Sequence, residues 1–366
     1  MKIQRVVTKH LAFELDDRFW NSQQRWAKKE IVLVFIETDN GLVGVGEGWT
    51  PGASPKALMQ TIDEDVGPRL IGQDPRYHTK IFAEVWKTTA LNARRGILSI
   101  ALSAVDLALW DLVGKALQAP VYQLLGAFTD QVPCYASAGL YGKGKDEKAL
   151  AEEMQGYVAQ GFKDVKMKVG GVSLEEDVKR VKAVRDAVGP NARLMVDANY
   201  TLNVPKSLKM AQAFEPHEIY WLEAPVSPDD VSGQAKINAL SPIPVCGNET
   251  ETGIDRFREL ITHRAVEFVQ FDIAACGGIS EGRRIADLAA AFHLPCTLHA
   301  SSTGILLAAS LHLAASLPNL DSVEYHMFHQ WLFDKCPPNA FKPETGGLVR
   351  PPDGPGFGLA IHYDDL

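Results

Sequence analysis

Short apolar segments, each ending at or beside a charged or polar residue, recur at regular intervals through the last two thirds of the chain. They cover residues 165–169, 193–196, 219–222, 243–246, 266–271, 295–298 and 322–325. The polar residues at or near their ends are spaced about 25 residues apart, the length of one strand and its returning helix: Lys168, Asp197, Glu223, Glu249, Asp272, His299 and Glu324. A first strand near 132–136 completes eight strands, which predicts a closed parallel barrel whose functional side chains gather at the carboxyl ends of the strands.

The first part of the chain has an α+β pattern. Apolar segments at 31–38 and 42–47 are joined by the turn signal Asp-Asn-Gly at 39–41, which predicts an antiparallel hairpin. Between residues 56 and 125 the apolar positions recur with helical spacing. We therefore predict three units, an α+β domain over 1–127, a barrel over 128–333 and a tail over 334–366 that packs back on the first domain.

Composition and charge exclude several classes of partner. The formal net charge of -8 and the pI near 5.7 argue against binding to nucleic acid or to an anionic membrane. The longest apolar stretches are interrupted by Asp106, Asp111 and His312, which argues against a membrane span. The opening residues lack the apolar core of a signal peptide, and the five cysteines form no Cys-x-x-Cys pair. The sequence thus predicts a cytoplasmic protein with reduced thiols that acts on a small molecule.

A run of glycines at positions 41, 44, 46 and 48 is similar in composition to a dinucleotide-binding loop. Such a loop is followed by a helix, whereas here Trp49-Thr50-Pro51 follows. We therefore reject a dinucleotide site at this position.

Three carboxylates end successive predicted strands. Asp197, Glu223 and Glu249 should converge on one rim of the barrel, where they would present the hard oxygen ligands that Mg²⁺ prefers. Each residue alone could be a helix cap or a surface acid. Three in register predict a Mg²⁺ site, because uncompensated carboxylates would repel one another.

Two lysines lie two residues apart on one predicted strand. Lys166 and Lys168 should both point into the barrel, while Met167 points toward the helices. Two buried ammonium groups beside a cation destabilise each other's charge, which predicts a lowered lysine pKa and a neutral lysine that could act as a base.

A second acid/base group is predicted on the opposite side of the barrel. Asp272 and His299 end adjacent strands, so the carboxylate could orient the imidazole and raise its basicity. A histidine with a purely structural role is the alternative. Glu324, at the last strand, could donate a hydrogen bond to a substrate oxygen if it is protonated.

These motifs resemble the enolase superfamily, mandelate racemase subgroup, over nearly the whole chain. The matching stretches are Lys166-Met167-Lys168, 196–199 (Val-Asp-Ala-Asn), 221–225 (Trp-Leu-Glu-Ala-Pro), 247–249 (Gly-Asn-Glu), Asp272 with 277–279 (Gly-Gly-Ile), His299, Glu324, and 103–111 with Gly114-Lys115 in the first domain. The resemblance implies a (β/α)7β TIM-like barrel with an α+β N-terminal capping domain. Asn248 and Phe271 depart from the family's usual residues, without removing a reacting group.

The same resemblance implies roles for the residues of the site. Mg²⁺ would be bound by Asp197, Glu223 and Glu249, Lys168 supported by Lys166 would be one base, and His299 with Asp272 would be the other acid/base. The protein would then remove the proton next to a substrate carboxylate, and many such proteins form homo-oligomers.

The reaction that follows proton removal depends on His299. Protonation of a departing β-hydroxyl gives dehydration of an acid sugar to a 2-keto-3-deoxy acid, and this is the reaction that we predict. Racemisation or epimerisation, or cycloisomerisation of a sugar lactone, are the alternatives within the same family. Ala-Ser-Ser-Thr-Gly at 300–304, after His299, matches no single substrate group.

The surroundings favour a polyhydroxylated acid over an aryl acid, because the cap loops and the barrel mouth are polar and aromatic. The residues concerned are Asp16, Asp17, Arg18, Trp20, Gln23, Arg25, Trp26, Trp49, Tyr141, Tyr200 and His326. Among them we predict that Trp20, Arg25 and Tyr141, together with Asn199, bind the substrate or support the site; cap-to-barrel packing is the alternative for each.

Two hypotheses come from other classes of protein. A Schiff-base aldolase would use Lys168 as a nucleophile, but it would not need three convergent carboxylates. A non-catalytic module that binds sugar acids would be expected to lack a ligand or a base, whereas every member of the set is present here.

Overall fold

The computed structural model describes residues 1–15, 19–50, 54–89, 95–329 and 341–365. Its strands are β1 (Ile3–Glu14), β2 (Phe19–Trp20), β3 (Lys28–Thr38), β4 (Val43–Gly48), β5 (Val132–Ser137), β6 (Tyr141–Gly142), β7 (Val165–Lys168), β8 (Leu194–Asp197), β9 (Ile219–Glu223), β10 (Val245–Gly247), β11 (Phe268–Asp272), β12 (Cys296–His299), β13 (Leu320–His326) and β14 (Leu348–Val349). Its helices are α1 (Pro55–Gln60), α2 (His78–Thr89), α3 (Ile97–Leu117), α4 (Val121–Leu124), α5 (Glu147–Ala159), α6 (Leu174–Val188), α7 (Val204–Phe214), α8 (Val231–Leu240), α9 (Ile254–Thr262), α10 (Gly278–Ala291) and α11 (Gly304–Ala314).

A closed barrel of parallel strands forms the second part of the chain. The strands follow the order β5, β7, β8, β9, β10, β11, β12, β13, and the pairing of β13 with β5 closes the ring. The predicted eight-stranded barrel is therefore confirmed. Strand β10 begins at Val245 rather than at Ile243, since Pro244 has no N–H to donate to the sheet.

The barrel interior is layered. Its lower layer is apolar and is made of Tyr135, Met195, Trp221, Cys246 and Phe268. Because side chains alternate along each strand, the residues two positions further on point inward one layer higher, toward the carboxyl ends of the strands. This alternation places the charged residues of the sequence motifs together above an apolar floor.

An antiparallel sheet of β1, β3 and β4 forms the cap together with α1, α2 and α3. The two faces of β3 pack against different neighbours: Ile31 and Leu33 join the core shared with the barrel, whereas Val32 and Val34 join the core under the cap helices. The predicted hairpin is confirmed, because β3 pairs with β4 across the turn at 39–41. The separate α+β cap predicted from the sequence is thus present.

The glycines of β4 allow α3 to lie directly on the sheet. A Cβ at Gly44 would be 2.1 Å from the carbonyl oxygen of Ala108, and one at Gly46 would be 2.1 Å from that of Ala104. The run of glycines therefore serves close helix-to-strand packing.

Helix α3 is long and apolar enough to cross a membrane by length and composition, with a mean hydropathy of 1.8 over its most apolar stretch. Within the protein, however, 83% of that stretch is buried. Its buried Asp111 accepts hydrogen bonds from the N–H groups of Val45 and Phe357, both at 2.9 Å, and pairs with Lys115. The helix thus has the burial of a core helix.

A cluster that we call the latch joins the cap to the barrel helix α10. The carboxylate of Asp106 accepts hydrogen bonds from the N–H and the hydroxyl of Ser280, at 2.9 and 2.6 Å. The hydroxyl of Ser103 accepts a hydrogen bond from the N–H of Gly277 at 2.9 Å. A Cβ at Gly278 would lie 2.2 Å from the Asp106 carboxylate, so the Gly-Gly motif leaves the space that the aspartate occupies.

The C-terminal segment contacts both parts of the molecule. Strand β14 pairs antiparallel with β5, and the N–H of Phe357 donates to Asp111 of the cap helix. Residues 334–340 of the predicted tail lie outside the described residues, and the domain boundaries remain predictions.

Candidate active site

The two predicted lysines point into the barrel from β7 and are buried. The ammonium of Lys166 lies 2.6 Å from a carboxylate oxygen of Glu223 and 3.1 Å from one of Glu324. Lys168 pairs with the carboxylate of Asp197, while Met167 packs in the core outside the barrel strands. Each lysine therefore already has an acidic partner.

The pKa of Lys166 depends on its two acidic neighbours. Burial by itself lowers the pKa of this lysine, but the Glu223 and Glu324 carboxylates outweigh burial and raise the pKa well above its usual value. The sequence argument for a lowered lysine pKa assumed a cation beside both lysines, and it left out the two carboxylates that contact Lys166.

The three predicted metal ligands are buried, at or just after the ends of β8, β9 and β10, and each is oriented by a hydrogen bond. Asn199 donates its backbone N–H to Asp197 at 2.8 Å and its side-chain amide at 3.1 Å. The indole N–H of Trp221 donates to Glu223 at 3.1 Å, and the hydroxyl of Tyr200 donates to Glu249.

The chemistry of this donor set fits Mg²⁺. Burial raises the pKa of Glu223 to about 8 against the attraction of Lys166, and nearby carboxylates, including Asp197 and Glu249, add to the rise. A divalent cation would offset that repulsion, and oxygen-only ligands are those that Mg²⁺ prefers. Among the described residues, no three Asp, Glu, His or Cys side chains lie close enough together to hold a metal ion. Two of the three carboxylates, Glu223 and Asp197, pair with lysines instead.

The predicted histidine–aspartate pair is formed on adjacent strands. Asp272 and His299 are opposite each other in the register of β11 and β12, and the imidazole Nδ1 lies 2.6 Å from the Asp272 carboxylate. The N–H of Ala274 donates to the other Asp272 oxygen at 2.7 Å, which fixes the carboxylate. Burial lowers the pKa of His299, but Glu324 and Asp272 outweigh burial and raise the pKa to about 9.

Glu324 bridges the two sides of the site. One of its oxygens lies 3.1 Å from Lys166 and the other lies 3.2 Å from Nε2 of His299. Burial raises the pKa of this carboxyl, but His299 and Lys166 reverse the effect and hold the pKa well below its usual value. These two contacts are ion pairs, because neither Glu324 oxygen has a hydrogen-bond partner among the described residues, and the role of a protonated donor stays a prediction.

A cavity of about 420 Å³ opens above these residues, between the barrel rim and the cap. The barrel contributes to its wall Lys168, Asn199, Tyr200, Glu249, His299 and His326. The cap contributes Asn21, Gln23, Gln24, Trp26, Lys29 and Trp49. Lys168 and His299 thus face one space from strands separated by several others, an arrangement that suits acid/base chemistry on two faces of one molecule.

Three residues predicted to bind the substrate or to support the site lie outside the cavity wall. Among the described residues that line this cavity, Trp20, Arg25 and Tyr141 do not occur. The guanidinium of Arg25 stacks on the Trp20 ring at 3.8 Å. The Tyr141 hydroxyl donates to Asp177 at 3.0 Å and accepts from the N–H of Gly171 at 2.9 Å, so it orders the loop after β7.

Other predictions for this region have mixed outcomes. Asn199, Gln23, Trp26, Trp49, Tyr200 and His326 do line the cavity. Residues 16–18 of the cap lie outside the described residues. The departure at Asn248 has a structural reason, because its amide forms two hydrogen bonds with the amide of Gln234, at 3.1 and 3.2 Å.

The sequence reasoning missed Lys29 and Asn21. Lys29 continues the row of Ile31 and Leu33 on the barrel-facing side of β3, so strand alternation was the signal that could have found it. No such period applies to Asn21, which lies in a loop.

The comparisons with known proteins agree with this architecture. The family described as Enolase C-terminal domain-like matches residues 149–366, and the mandelate racemase / muconate lactonizing enzyme N-terminal domain matches residues 16–126.

Individual relatives cover almost the whole chain. An arabinonate dehydratase of Saccharolobus solfataricus is 37% identical over 91% of this chain and 88% of its own length. A D-galactarolactone cycloisomerase of Agrobacterium fabrum is 35% identical, over 100% and 98%. The crystal structure of a racemase from Streptomyces coelicolor A3(2) with bound magnesium has a TM-score of 0.90 at 30% identity, covering 100% of this chain and 98% of that one. The chain is thus an enzyme of the enolase superfamily and belongs to the mandelate racemase and muconate lactonizing enzyme branch of that superfamily.

Proposed function

We propose that the protein is an acid-sugar dehydratase that converts an aldonate or aldarate to a 2-keto-3-deoxy acid. The observation that carries this proposal is the placement of Lys168 and His299 on two sides of one cavity. Such a pair can remove a proton from one face of a substrate and deliver a proton at the other.

The proposed metal ligands are Asp197, Glu223 and Glu249, which the donor chemistry described above supports. When bound, Mg²⁺ would supply a Lewis acid that stabilises the negative charge developing on the substrate carboxylate. Asn199, Trp221 and Tyr200 would hold the three carboxylates in orientation through the hydrogen bonds described above.

Lys168 is the proposed base for the α-proton. It lines the cavity, whereas Lys166 lies deeper and is held between Glu223 and Glu324. Lys166 would therefore remain charged and stabilise the carboxylate end of the substrate, while Lys168 exchanges a proton with the α-carbon.

His299 is the proposed acid. Its raised pKa, about 9, favours the imidazolium at neutral pH, and Asp272 fixes the ring through Nδ1. The imidazolium can give its proton to the β-hydroxyl, which leaves as water as the C–O bond breaks. The resulting enol then takes up a proton at the β-carbon to give the 2-keto acid, so the reaction releases one water and needs no oxidant.

A polyhydroxylated substrate is supported by the cap wall of the cavity. Asn21, Gln23 and Gln24 offer amide donors and acceptors there. Amide groups suit hydroxyls better than they suit an apolar ring.

A sugar-lactone cycloisomerase is the second candidate. The D-galactarolactone cycloisomerase relative matches this chain over its full length at 35% identity, close to the value for the arabinonate dehydratase. The same base would act first, and the reactions would separate only at the group that His299 protonates.

We also propose a cytoplasmic location, a small carboxylate substrate, no nucleic-acid or membrane partner, and a homo-oligomeric state. The net charge of -8 supports the absence of polyanionic partners. Sedimentation equilibrium would test the oligomeric state, and a mass equal to that of the single chain, 40.1 kDa, would contradict it.

A library of acid sugars, assayed with Mg²⁺, tests the proposed reaction. Keto acid release is followed with semicarbazide and α-proton exchange in D₂O by NMR. Keto acid release that stops on addition of EDTA would support a dehydratase. Exchange or lactone opening without keto acid would favour the second candidate, and neither signal across the library would contradict both.

A further inference from the structure

A buried lysine of the cap, Lys29, lies in the wall of the cavity and has no part in the reaction proposed above. It is 8% exposed, at the start of β3. Along this strand it shares the barrel-facing side with Ile31 and Leu33, whereas its neighbours Lys28 and Glu30 pair with each other at 2.9 Å on the outer side. The alternation of side chains along β3 therefore points Lys29 into the cavity and Lys28 to the outer side.

Within the cavity, Lys29 lies on the side of His299. Its ammonium donates to the carbonyl oxygen of Ser301 at 2.9 Å, two residues beyond the histidine. Trp49, another cavity residue from the cap, has its ring centroid 5.3 Å from that of His299. Lys29 thus lies in the wall on the His299 side of the cavity, opposite the proposed α-carbon base, Lys168.

The charge of Lys29 has no direct partner among the described residues. The bond to Ser301 uses one of three N–H donors, and no described carboxylate forms an ion pair with this ammonium. Glu47 is buried nearby, but its carboxylate is already bonded to Ser302 and Thr303. Burial lowers the pKa of Lys29 to about 8, although Glu47 and Asp272 oppose that effect.

A buried ammonium in this state suits an anionic ligand. A hydroxyl could accept one of the remaining N–H groups, but it would leave the positive charge unmatched. A carboxylate could accept the hydrogen bonds and also match the charge.

We propose that Lys29 binds a second carboxylate of the substrate, at the end remote from the carbon that loses its proton, so that the protein acts on sugar diacids. This inference rests on the proposed function, which assigns the first carboxylate to the metal side of the cavity. It narrows the substrate class from acid sugars in general to aldarates.

Binding measurements on matched acids test the inference. Isothermal titration calorimetry with Mg²⁺ would compare galactarate with galactonate and glucarate with gluconate, since each pair shares a configuration and differs in the second carboxylate. The proteins would be the wild type, Lys29→Met, Lys29→Arg and, as the control, Lys28→Met, whose side chain is 51% exposed.

We expect the wild type to bind the diacid of at least one pair about 10-fold or more tightly than the monoacid, because a charge-assisted hydrogen bond distinguishes them. Lys29→Met should weaken diacid binding by about 10- to 100-fold and monoacid binding by less than about twofold. Lys29→Arg should restore part of the affinity, and Lys28→Met should behave as the wild type.

Three results would overturn the inference. They are equal affinities of the wild type for both members of every pair, no binding of any diacid, and equal losses on both members in Lys29→Met. The last would show that Lys29 only anchors the segment at Ser301. If Lys29→Met does not fold, the ratio of the wild-type affinities for the diacid and the monoacid of each pair still tests the inference.

Failure of the proposed reaction has a different signature. Diacid binding that depends on Lys29, without keto acid or α-proton exchange, would sustain this inference and reject the dehydratase. Turnover of monoacids with no preference for diacids would do the reverse.

Discussion

The barrel rim and the latch between cap and barrel both bury charged side chains, but they compensate the charge in different ways. At the rim, Lys166 lies between Glu223 and Glu324, and opposite charges are packed against one another. In the latch, Asp106 is buried with hydrogen bonds from the hydroxyl and N–H of Ser280, with no ion pair to a described cation. Opposite charges at the rim shift the pKa of one another, whereas the buried Asp106 has neutral hydrogen-bond donors that join the cap to the barrel.

This comparison predicts that substitutions in the two regions affect different properties of the protein. Substitutions at the rim should remove the reaction, and substitutions in the latch should lower the free energy of unfolding. The largest effect should follow Lys168→Arg. Arginine keeps a cation beside Asp197, but a guanidinium does not release its proton in proteins.

For Lys168→Arg we expect both keto acid release and α-proton exchange to fall by about 10²- to 10⁴-fold, the usual contribution of a positioned base. Thermal unfolding should show that the fold is retained. Lys182→Arg is the control, because Lys182 is exposed and pairs with Asp186 on a barrel helix. Full exchange activity in Lys168→Arg would assign the base elsewhere.

The latch can be tested with two glycines that have the same backbone angle. Gly278 and Gly126 both have φ of 85°, but a Cβ at Gly278 would strike Asp106, whereas one at Gly126 would meet nothing within 4 Å. Gly126→Ala should cost roughly 1–2 kcal/mol of unfolding free energy from backbone strain alone. Gly278→Ala should cost about 1–3 kcal/mol more because of the clash.

Urea unfolding measures both variants. Equal losses would show that the close contact with Asp106 adds nothing to the strain of a positive φ, and the latch would then not limit residue 278.

The pH dependence of stability sharpens the same comparison. Burial raises the pKa of Asp106 from 3.8 to about 7, although Ser280 opposes the effect. The folded-state pKa is raised, so the stability from this group is fully present below about pH 4 and is lost as the pH rises through about 7. Between pH 5 and 8 the wild type should lose about 1–3 kcal/mol more unfolding free energy than Asp106→Asn.

Asparagine preserves the shape of Asp106 and can accept from the N–H of Ser280 while it donates to the hydroxyl. Urea unfolding of both proteins across this pH range provides the comparison. Parallel curves would mean that Asp106 does not titrate in the window.

Much of the barrel and its rim could be predicted, because strand periodicity decides which residues share a layer. Asp197, Glu223 and His299 each end a strand, so their positions along the chain suffice to place them at the rim. Charge states were less predictable. The lowered pKa of Glu324 depends first on His299 and then on Lys166, and the 3.1 Å contact with Lys166 joins non-adjacent strands and has no sequence signal.

Side chains in and around loops were predicted least well for a related reason. Trp20, Arg25 and Tyr141 are polar or aromatic residues in short segments around loops, and composition does not state which way a loop side chain points. Lys29 could have been predicted, because it belongs to the long regular strand β3, in which successive side chains point to opposite faces.

The central claim is that proton removal and departure of the β-hydroxyl are carried out from two sides of the cavity by different residues. The most direct test is His299→Asn with an accepted substrate and Mg²⁺ in D₂O, with α-proton exchange and keto acid followed together by NMR. We predict that keto acid release falls by about 10²- to 10⁴-fold while exchange at the α-carbon continues through Lys168. Loss of both signals to the same extent would contradict the claim, because His299 would then be required for removal of the α-proton itself.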